Sequence, residues 1–218
     1  MDVPPFRVAY VRGVTPTKWA RIWHERRPER TLELIRTDCD QAEVLRDGRV
    51  QMAFVRLPID QDGLNVIPLY QEIAVAVVPV EHPAAAVDDI VAADLDGETV
   101  HEATGDIDEV FALIAAGVGV VVVPQSIARL HARRDVTSRP VTDAPPTQIA
   151  LAWLVESELD DSQDAAAIED FIGIVRGRTA RSSRGAGVEP DSVTPKDARG
   201  RRPRKSTNRA RNGKLRRR

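Results

Sequence analysis

Short β-favouring segments alternate with helix-favouring segments along the first 175 residues, and this alternation restricts the folds open to the chain. The β-favouring segments are residues 6–11, 31–36, 50–55, 64–69, 73–78, 98–101, 119–123 and 149–155. Residues 73–78 and 119–123 are almost unbroken β-favouring runs, which is typical of strands buried on both faces. Regular alternation of strand and helix predicts parallel sheets covered by helices, and therefore an α/β fold.

Capping residues mark where several of the helices begin. Thr15 before Pro16 predicts a helix start, with Thr15 as the N-cap and Pro16 at the first helical position. Asp38 and Gln41 have the spacing of a capping box, which predicts a second helix from about residue 38. Asp106 is expected to cap a later helix in the same way.

The chain changes character after residue 175. Residues 176–218 hold 16 Lys and Arg residues against three acidic ones, whereas residues 1–175 hold 15 against 30. The basic part has almost no large apolar side chains, so it cannot bury enough surface to offset its chain entropy. We therefore predict an acidic, compact body over residues 1–178 and a disordered basic tail over residues 179–218.

No constellation of residues in the sequence supports catalysis, metal binding or membrane insertion. The single cysteine, Cys39, excludes a disulfide within the chain and a cysteine-rich metal site. The four histidines have no ligand spacing, and no P-loop or G-x-S-x-G turn is present. Pro4, Pro5 and Arg7 interrupt any apolar core at the N-terminal end, so we expect no signal peptide, and the longest apolar run is too short to span a bilayer. We expect a cytoplasmic protein that is not an enzyme, with no cofactor, no metal and no membrane contact.

Several consecutive segments resemble the effector-binding (substrate-binding) domain of LysR-type transcriptional regulators. The clearest are DGRVQMAFVRLP at residues 47–58, the stretch 63–83, the stretch 89–95, and AAGVGVVVVPQS at residues 115–126. With the first strand and the Thr-Pro-led helix that precede them, the whole match covers roughly residues 5–175 and keeps the order of the family. The resemblance implies a type 2 periplasmic-binding-protein fold, in which crossing strands join two Rossmann-like lobes around a small ligand. Lobe one is expected at about residues 5–78 and 149–175, and lobe two at about 79–148.

The sequence departs from the family pattern in two places. The first strand begins at about Phe6, so we expect the winged helix-turn-helix of the family to be absent. The segment between residues 95 and 115 has room for about one βα unit fewer than the family has, which predicts a shortened second lobe.

Turns at the carboxyl ends of strands supply the candidate ligand-binding residues, because ligands of open α/β folds bind at that edge. The candidates are Gly13, Val14, Thr15, Thr37, Asp38, Arg56, Thr104, Gly105 and Asp106. The contacts at Gly13, Val14 and Thr15 and in the turn at Thr37 and Asp38 are those that the resemblance implies.

Each polar candidate also has a purely structural interpretation. Thr15, Asp38 and Asp106 could serve only as helix caps, and an acid at a helix start disfavours an anionic ligand. Arg56 could hold a carboxylate through two parallel hydrogen bonds, or it could form an ion pair with a neighbouring acid.

The tail offers a different kind of binding. Its core, RGRRPRK at residues 199–205, resembles the AT-hook element with one extra arginine before the proline. The candidate nucleic-acid-binding residues are Arg199, Gly200, Arg201, Arg202, Arg204, Lys205, Arg209, Arg211, Lys214, Arg216, Arg217 and Arg218. Such a run neutralises phosphates without reading sequence. The alternatives are a solubilising tail, or a tail that folds back on the acidic body.

These observations favour a regulatory module that binds a small organic effector, a carboxylic acid being one candidate. The tail would add non-specific contact with DNA or RNA, and a homodimer is one expected assembly. The alternative is an architectural protein associated with nucleic acid, whose body serves only for oligomerisation.

Overall fold

The structure is a computed structural model that describes residues 3–37, 41–103, 105–155 and 162–178. The expectations for Asp38, Thr104 and the basic tail therefore lie outside the described residues. The strands are β1 (Phe6–Tyr10), β2 (Leu32–Arg36), β3 (Met52–Leu57), β4 (Leu64–Glu72), β5 (Ala74–Pro79), β6 (Val100–His101), β7 (Val120–Pro124), β8 (Val136–Pro140) and β9 (Thr147–Leu154). The helices are α1 (Thr17–Arg26), α2 (Glu43–Arg46), α3 (Ile107–Ala115), α4 (Gln125–Leu130) and α5 (Ser162–Val175).

Lobe one is built on a five-stranded sheet with the order β2-β1-β3-β9-β4. Strand β1 is parallel to β2 and β3, whereas β9 is antiparallel to β3 and β4. The sheet is therefore mixed, not purely parallel as its sequence pattern suggested. It is mixed because β9 re-enters lobe one after the chain has passed through the second lobe, and it re-enters in the opposite direction.

Aromatic packing holds α1 and α5 against one face of this sheet. The rings of Phe6 and Trp23 stack at 4.7 Å between centroids, and Phe171 of α5 contacts both rings at 5.8 Å. All three side chains are fully buried. The indole N–H of Trp23 donates to the carbonyl of Arg30 at 2.9 Å, so the one polar group of this cluster is satisfied.

Lobe two is built on a four-stranded sheet with the order β6-β7-β5-β8. Strand β5 lies at its centre, antiparallel to both β7 and β8, and residues 75–78 are fully buried there. The predicted lobe boundary near residue 78 was therefore wrong, because the chain crosses into lobe two at Ile73, directly after β4. The return crossing lies between β8 and β9. Between the 3-10 turn at Ala92–Leu95 and α3, the described residues form only the two-residue strand β6.

The first helix begins later than predicted, and Thr15 does not cap it. The carbonyl of Pro16 accepts hydrogen bonds from the N–H groups of Trp19 and Ala20, both at 3.0 Å. Pro16 is therefore the N-cap, and no side chain makes a capping hydrogen bond. Val14 and Pro16 are buried on either side of Thr15, which leaves the Thr15 side chain exposed.

Candidate ligand-binding cleft

A cavity of about 480 Å³, here called the cleft pocket, lies between the two lobes. Lobe one contributes Val11, Arg12, Gln41 and Arg56, and lobe two contributes Ala103, Gly105, Ile107, Val123, Pro124 and Ile127. Thr147, at the start of the returning strand β9, completes the lining. The wall from lobe two is therefore mostly apolar, and the wall from lobe one carries the guanidinium groups of Arg12 and Arg56.

Arg56 is held by several groups at the end of β3. Its backbone N–H donates to the Gln41 side-chain oxygen at 2.6 Å. Its Nε donates to Glu72 Oε2 at 2.7 Å, and its Nη2 donates to the carbonyl of Arg12 at 3.0 Å. The ion pair that was the alternative interpretation of Arg56 is therefore formed, and a ligand would meet Arg56 as one member of a fixed polar network.

Glu72 is the centre of that network, and its carboxylate is almost completely buried. It accepts from Arg56, from the hydroxyl of Ser126 and, at 3.3 Å, from the hydroxyl of Thr147. A buried carboxylate needs such partners, because desolvation otherwise costs several kcal/mol. We call Arg56, Glu72, Ser126 and Thr147 the hinge network.

The hinge network joins every part of the inter-lobe connection. Arg56 belongs to lobe one and Ser126 to lobe two, while Glu72 and Thr147 stand on the two crossing segments, where they are register partners. Sequence reasoning missed Glu72 and Thr147 as functional residues and dismissed Ser126 as a nucleophile. No local signal could have found them, because the four residues meet only when both crossings are formed.

A second cavity of about 540 Å³, here called the arginine pocket, lies on the other side of the turn after β1. Its lobe-one lining is Tyr10, Arg12, Gly13, Val14, Thr15, Pro16, Thr17 and Arg36, and its lobe-two lining is Ser126, Arg129 and Leu130 from α4. Arg12 lines both cavities, so the turn after β1 separates them.

The predicted site residues are divided between these cavities. Gly13, Val14 and Thr15 line the arginine pocket, whereas Arg56 and Gly105 line the cleft pocket. Val14 is buried in the lobe-one core, so it can offer a ligand little beyond its backbone. The strands that precede Gly13 and contain Arg56 are neighbours in one sheet, as expected.

The other described candidates have structural roles. The backbone N–H of Thr37 donates to the carbonyl of Tyr10 at 3.0 Å, which fixes the end of β2 against β1. Asp106 is the N-cap of α3, and its carboxylate accepts from the N–H of Asp108 at 2.9 Å. Neither Thr37 nor Asp106 lines either of the two pockets.

Tyr70 lies two residues before Glu72 and has a perturbed phenol. Burial raises the pKa of Tyr70 above its ordinary value of 10.0, and the negative charge of Glu72 raises it further. The positive charge of Arg56 acts in the opposite direction and is the smallest of the three effects. The pKa of the Tyr70 phenol therefore depends on the charges of Glu72 and Arg56 in the hinge network.

Within the described ranges, no group of three or more His, Cys, Asp and Glu side chains is arranged to hold a metal ion. In the same part of the chain, no helix has the length and apolar character needed to cross a membrane.

Comparison with known proteins confirms the resemblance seen in the sequence. Residues 17–102 match the family model of the LysR substrate binding domain. Over 185 residues the chain is 24% identical to the Hca operon transcriptional activator HcaR of Escherichia coli K12, a match that covers 71% of this chain and 60% of HcaR. The chain thus spans less than two thirds of that relative, which is named as a transcriptional regulator.

Solved structures of LysR-type regulatory domains have the same fold. The BenM effector binding domain with its effector benzoate gives a TM-score of 0.64 at 18% identity, covering 88% of this chain and 97% of that chain. The reduced OxyR regulatory domain from Pseudomonas aeruginosa gives a TM-score of 0.63 at 19% identity, covering 81% of this chain and 96% of that chain. The described body therefore has the two-lobed, periplasmic-binding-protein-like α/β fold of these regulatory domains.

Proposed function

We propose that this chain is a regulatory module that binds a small organic acid as its effector in the cleft pocket. The observation that carries the proposal is the composition of that pocket, which has an apolar wall from lobe two opposite Arg12 and Arg56 of lobe one. A volume of about 480 Å³ is within the usual range for small-molecule sites. A ligand with an apolar skeleton and one carboxylate would match the apolar wall of lobe two and the guanidinium groups of lobe one.

Thermal unfolding of the full chain with a panel of aromatic and aliphatic monocarboxylates, benzoate included, tests this proposal. A ligand that binds only the folded state stabilises it by RT ln(1 + [L]/Kd). At one hundred times Kd, this corresponds to a rise in Tm of about 5–10 °C for a chain of this size.

Two substitutions of alanine by tryptophan test whether the ligand binds in the cleft pocket. Ala103→Trp fills the cleft pocket from its exposed rim and should abolish the rise in Tm. Ala112→Trp adds the same side chain to an exposed position of α3 that lines neither pocket, and it should leave the rise unchanged. A rise that survives Ala103→Trp would contradict binding in the cleft pocket.

The same proposal assigns non-specific nucleic-acid contact to the basic tail. Residues 199–218 hold 11 Lys and Arg residues and no acid, whereas the body is acidic. If about half of these cations neutralise phosphates, log K against log salt should fall with a slope of about −5. Fluorescence anisotropy of labelled duplexes at several salt concentrations measures the slope.

Charge-reversal substitutions test whether the basic tail makes the contact with nucleic acid. Arg201→Glu/Arg202→Glu/Arg204→Glu should reduce both the affinity and the slope. The control is Arg21→Glu/Arg49→Glu/Arg134→Glu, which makes the same charge change at three exposed body positions and should reduce them far less. Equal losses in both variants would contradict contact through the tail.

The alternative function is an architectural protein whose body only pairs chains. The observation that favours it is the short connection to α3, where the described residues form only β6. In that case no carboxylate raises Tm, while light scattering still gives a dimer mass and nucleic-acid binding persists. A saturable ligand effect that Ala103→Trp removes would exclude this alternative.

A further inference from the structure

The arginine pocket has a chemistry that differs from that of the cleft pocket. Three guanidinium groups, those of Arg12, Arg36 and Arg129, line it, and its described lining includes no acidic side chain. The exposed hydroxyl-bearing residues Thr15 and Thr17 stand at the start of α1. The pocket therefore presents cations and hydrogen-bond donors where the cleft pocket presents an apolar wall.

Of the three arginines that line this pocket, Arg129 is the one on which ligand binding depends most. It is exposed near the end of α4, and its guanidinium takes part in no hydrogen bond or ion pair within the described part of the chain. Arg12 and Arg36 already interact with other groups of the protein. Two acids lie close to the lining: the Glu72 carboxylate accepts from the hydroxyl of Ser126 but is paired with Arg56. The Asp108 carboxylate lies 4.0 Å from the Arg12 guanidinium and is shared with His131.

The start of α1 adds to the positive field. The ten-residue helix has no acidic residue in its first turn, and no side chain caps it. Backbone N–H groups at a helix start attract anions, most strongly those with several charges. Together with the guanidinium of Arg129 facing it from lobe two, this arrangement suits a phosphoryl group better than a single carboxylate.

We propose that the arginine pocket is a second ligand site, separate from the cleft pocket, and that it binds a phosphoryl group. The ligand lies between Arg129 of lobe two and the residues Arg36, Thr15 and Thr17 of lobe one. Because the cavity of about 540 Å³ is several times larger than a phosphate ion, it also has room for the organic part of a phosphorylated metabolite. Such a ligand touches both lobes, so it stabilises the arrangement in which Gly13 of lobe one lies against Ser126 of lobe two.

Calorimetric titration of the full chain with inorganic phosphate and with glycerol phosphate, at constant low ionic strength, tests the proposal. The matched variants are Arg129→Gln and Arg134→Gln. Each removes one exposed lobe-two guanidinium that has no partner among the described residues, and only Arg129 lines the pocket. Because the basic tail is the same in both variants, any phosphate bound by the tail cancels in the comparison.

We expect Arg129→Gln to weaken phosphoryl binding by about tenfold or more, as the loss of a charged hydrogen bond does, and Arg134→Gln to leave it unchanged. Tighter binding of glycerol phosphate assigns an organic phosphate as the ligand, and tighter binding of inorganic phosphate assigns the free ion. Both results support the site. Equal effects of the two substitutions, or no saturable binding by the unsubstituted chain, would overturn the proposal.

Discussion

Gly13 of lobe one lies so close to Ser126 of lobe two that no side chain fits between them. A Cβ atom added to Gly13 would overlap the Ser126 hydroxyl, and it would lie 3.0 Å from Ser126 Cβ and 3.3 Å from Arg56 Nη2. The same Ser126 hydroxyl donates to the buried carboxylate of Glu72. This contact between the lobes is thus connected directly to the hinge network, so a change in lobe spacing must disturb that network.

Gly13→Ala should therefore destabilise the protein more than an ordinary glycine substitution does. Gly13 has a φ of +93°, and Gly63 has a φ of +70° with nothing within 4 Å of its Cβ position. Gly63→Ala should cost only the backbone strain, about 1–2 kcal/mol. Gly13→Ala should add the collision with Ser126, and equilibrium urea unfolding measures both.

A double substitution separates strain from collision at Gly13. In a Ser126→Gly background, Gly13→Ala should cost less than in the unsubstituted chain, because the Ser126 atoms are gone and only the backbone strain and the 3.3 Å approach to Arg56 Nη2 remain. An unchanged penalty in that background would show that the lobes do not meet at this contact in solution.

Arg56→Ala should cost about 3–5 kcal/mol of unfolding free energy, because it leaves the buried Glu72 carboxylate without its cation. Arg56→Met/Glu72→Met, which removes both charges and keeps apolar volume, should recover most of that loss. The control is Arg7→Ala, since Arg7 and Glu33 form an ion pair in which both side chains are nearly half exposed. Its cost should not exceed about 1 kcal/mol, and a similar cost at Arg56 would contradict the role of the hinge network.

The phenol of Tyr70 should titrate above pH 10.0, and Glu72→Gln should bring its pKa closer to the ordinary value. Absorbance at 295 nm measures this in a Tyr10→Phe background, where Tyr70 is the only tyrosine. A raised folded-state pKa means that the unfolded chain loses the proton first. The contribution of Tyr70 to stability is therefore complete below pH 10 and is lost as the pH rises through the folded-state pKa. No change in this pKa in Glu72→Gln would contradict the charge coupling.

Substitution of Asp106 separates its capping role from a role in ligand binding. Asp106→Ala should cost about 1 kcal/mol of unfolding free energy, while Asp106→Ser should cost much less because serine is also a good N-cap. If Asp106 is only a cap, the rise in Tm caused by a cleft ligand should be the same in Asp106→Ser and in the unsubstituted chain. A ligand affinity lost in Asp106→Ser would instead assign Asp106 to the site.

Much of the architecture follows from the order of apolar segments along the chain. Strands β1, β2, β3 and β7 and the capped helix α3 lie within two residues of where local patterns predict them, because each buries a face that its own sequence makes apolar. The resemblance to LysR-type regulators added the two-lobed arrangement, which no single segment specifies.

Tertiary structure alone decided the lobe to which β5 belongs and the place where the polar residues meet. The sequence of β5 suits the centre of any buried sheet, and only its pairing with β7 and β8 assigns it to lobe two. Glu72, Ser126 and Thr147 are far apart along the chain, and they meet because the two crossings bring β4, β9 and α4 to one point. The sequence by itself determined which segments would be buried. The fold decided which charges would face each other, because Coulomb interactions and hydrogen bonds depend on distances that local patterns do not contain.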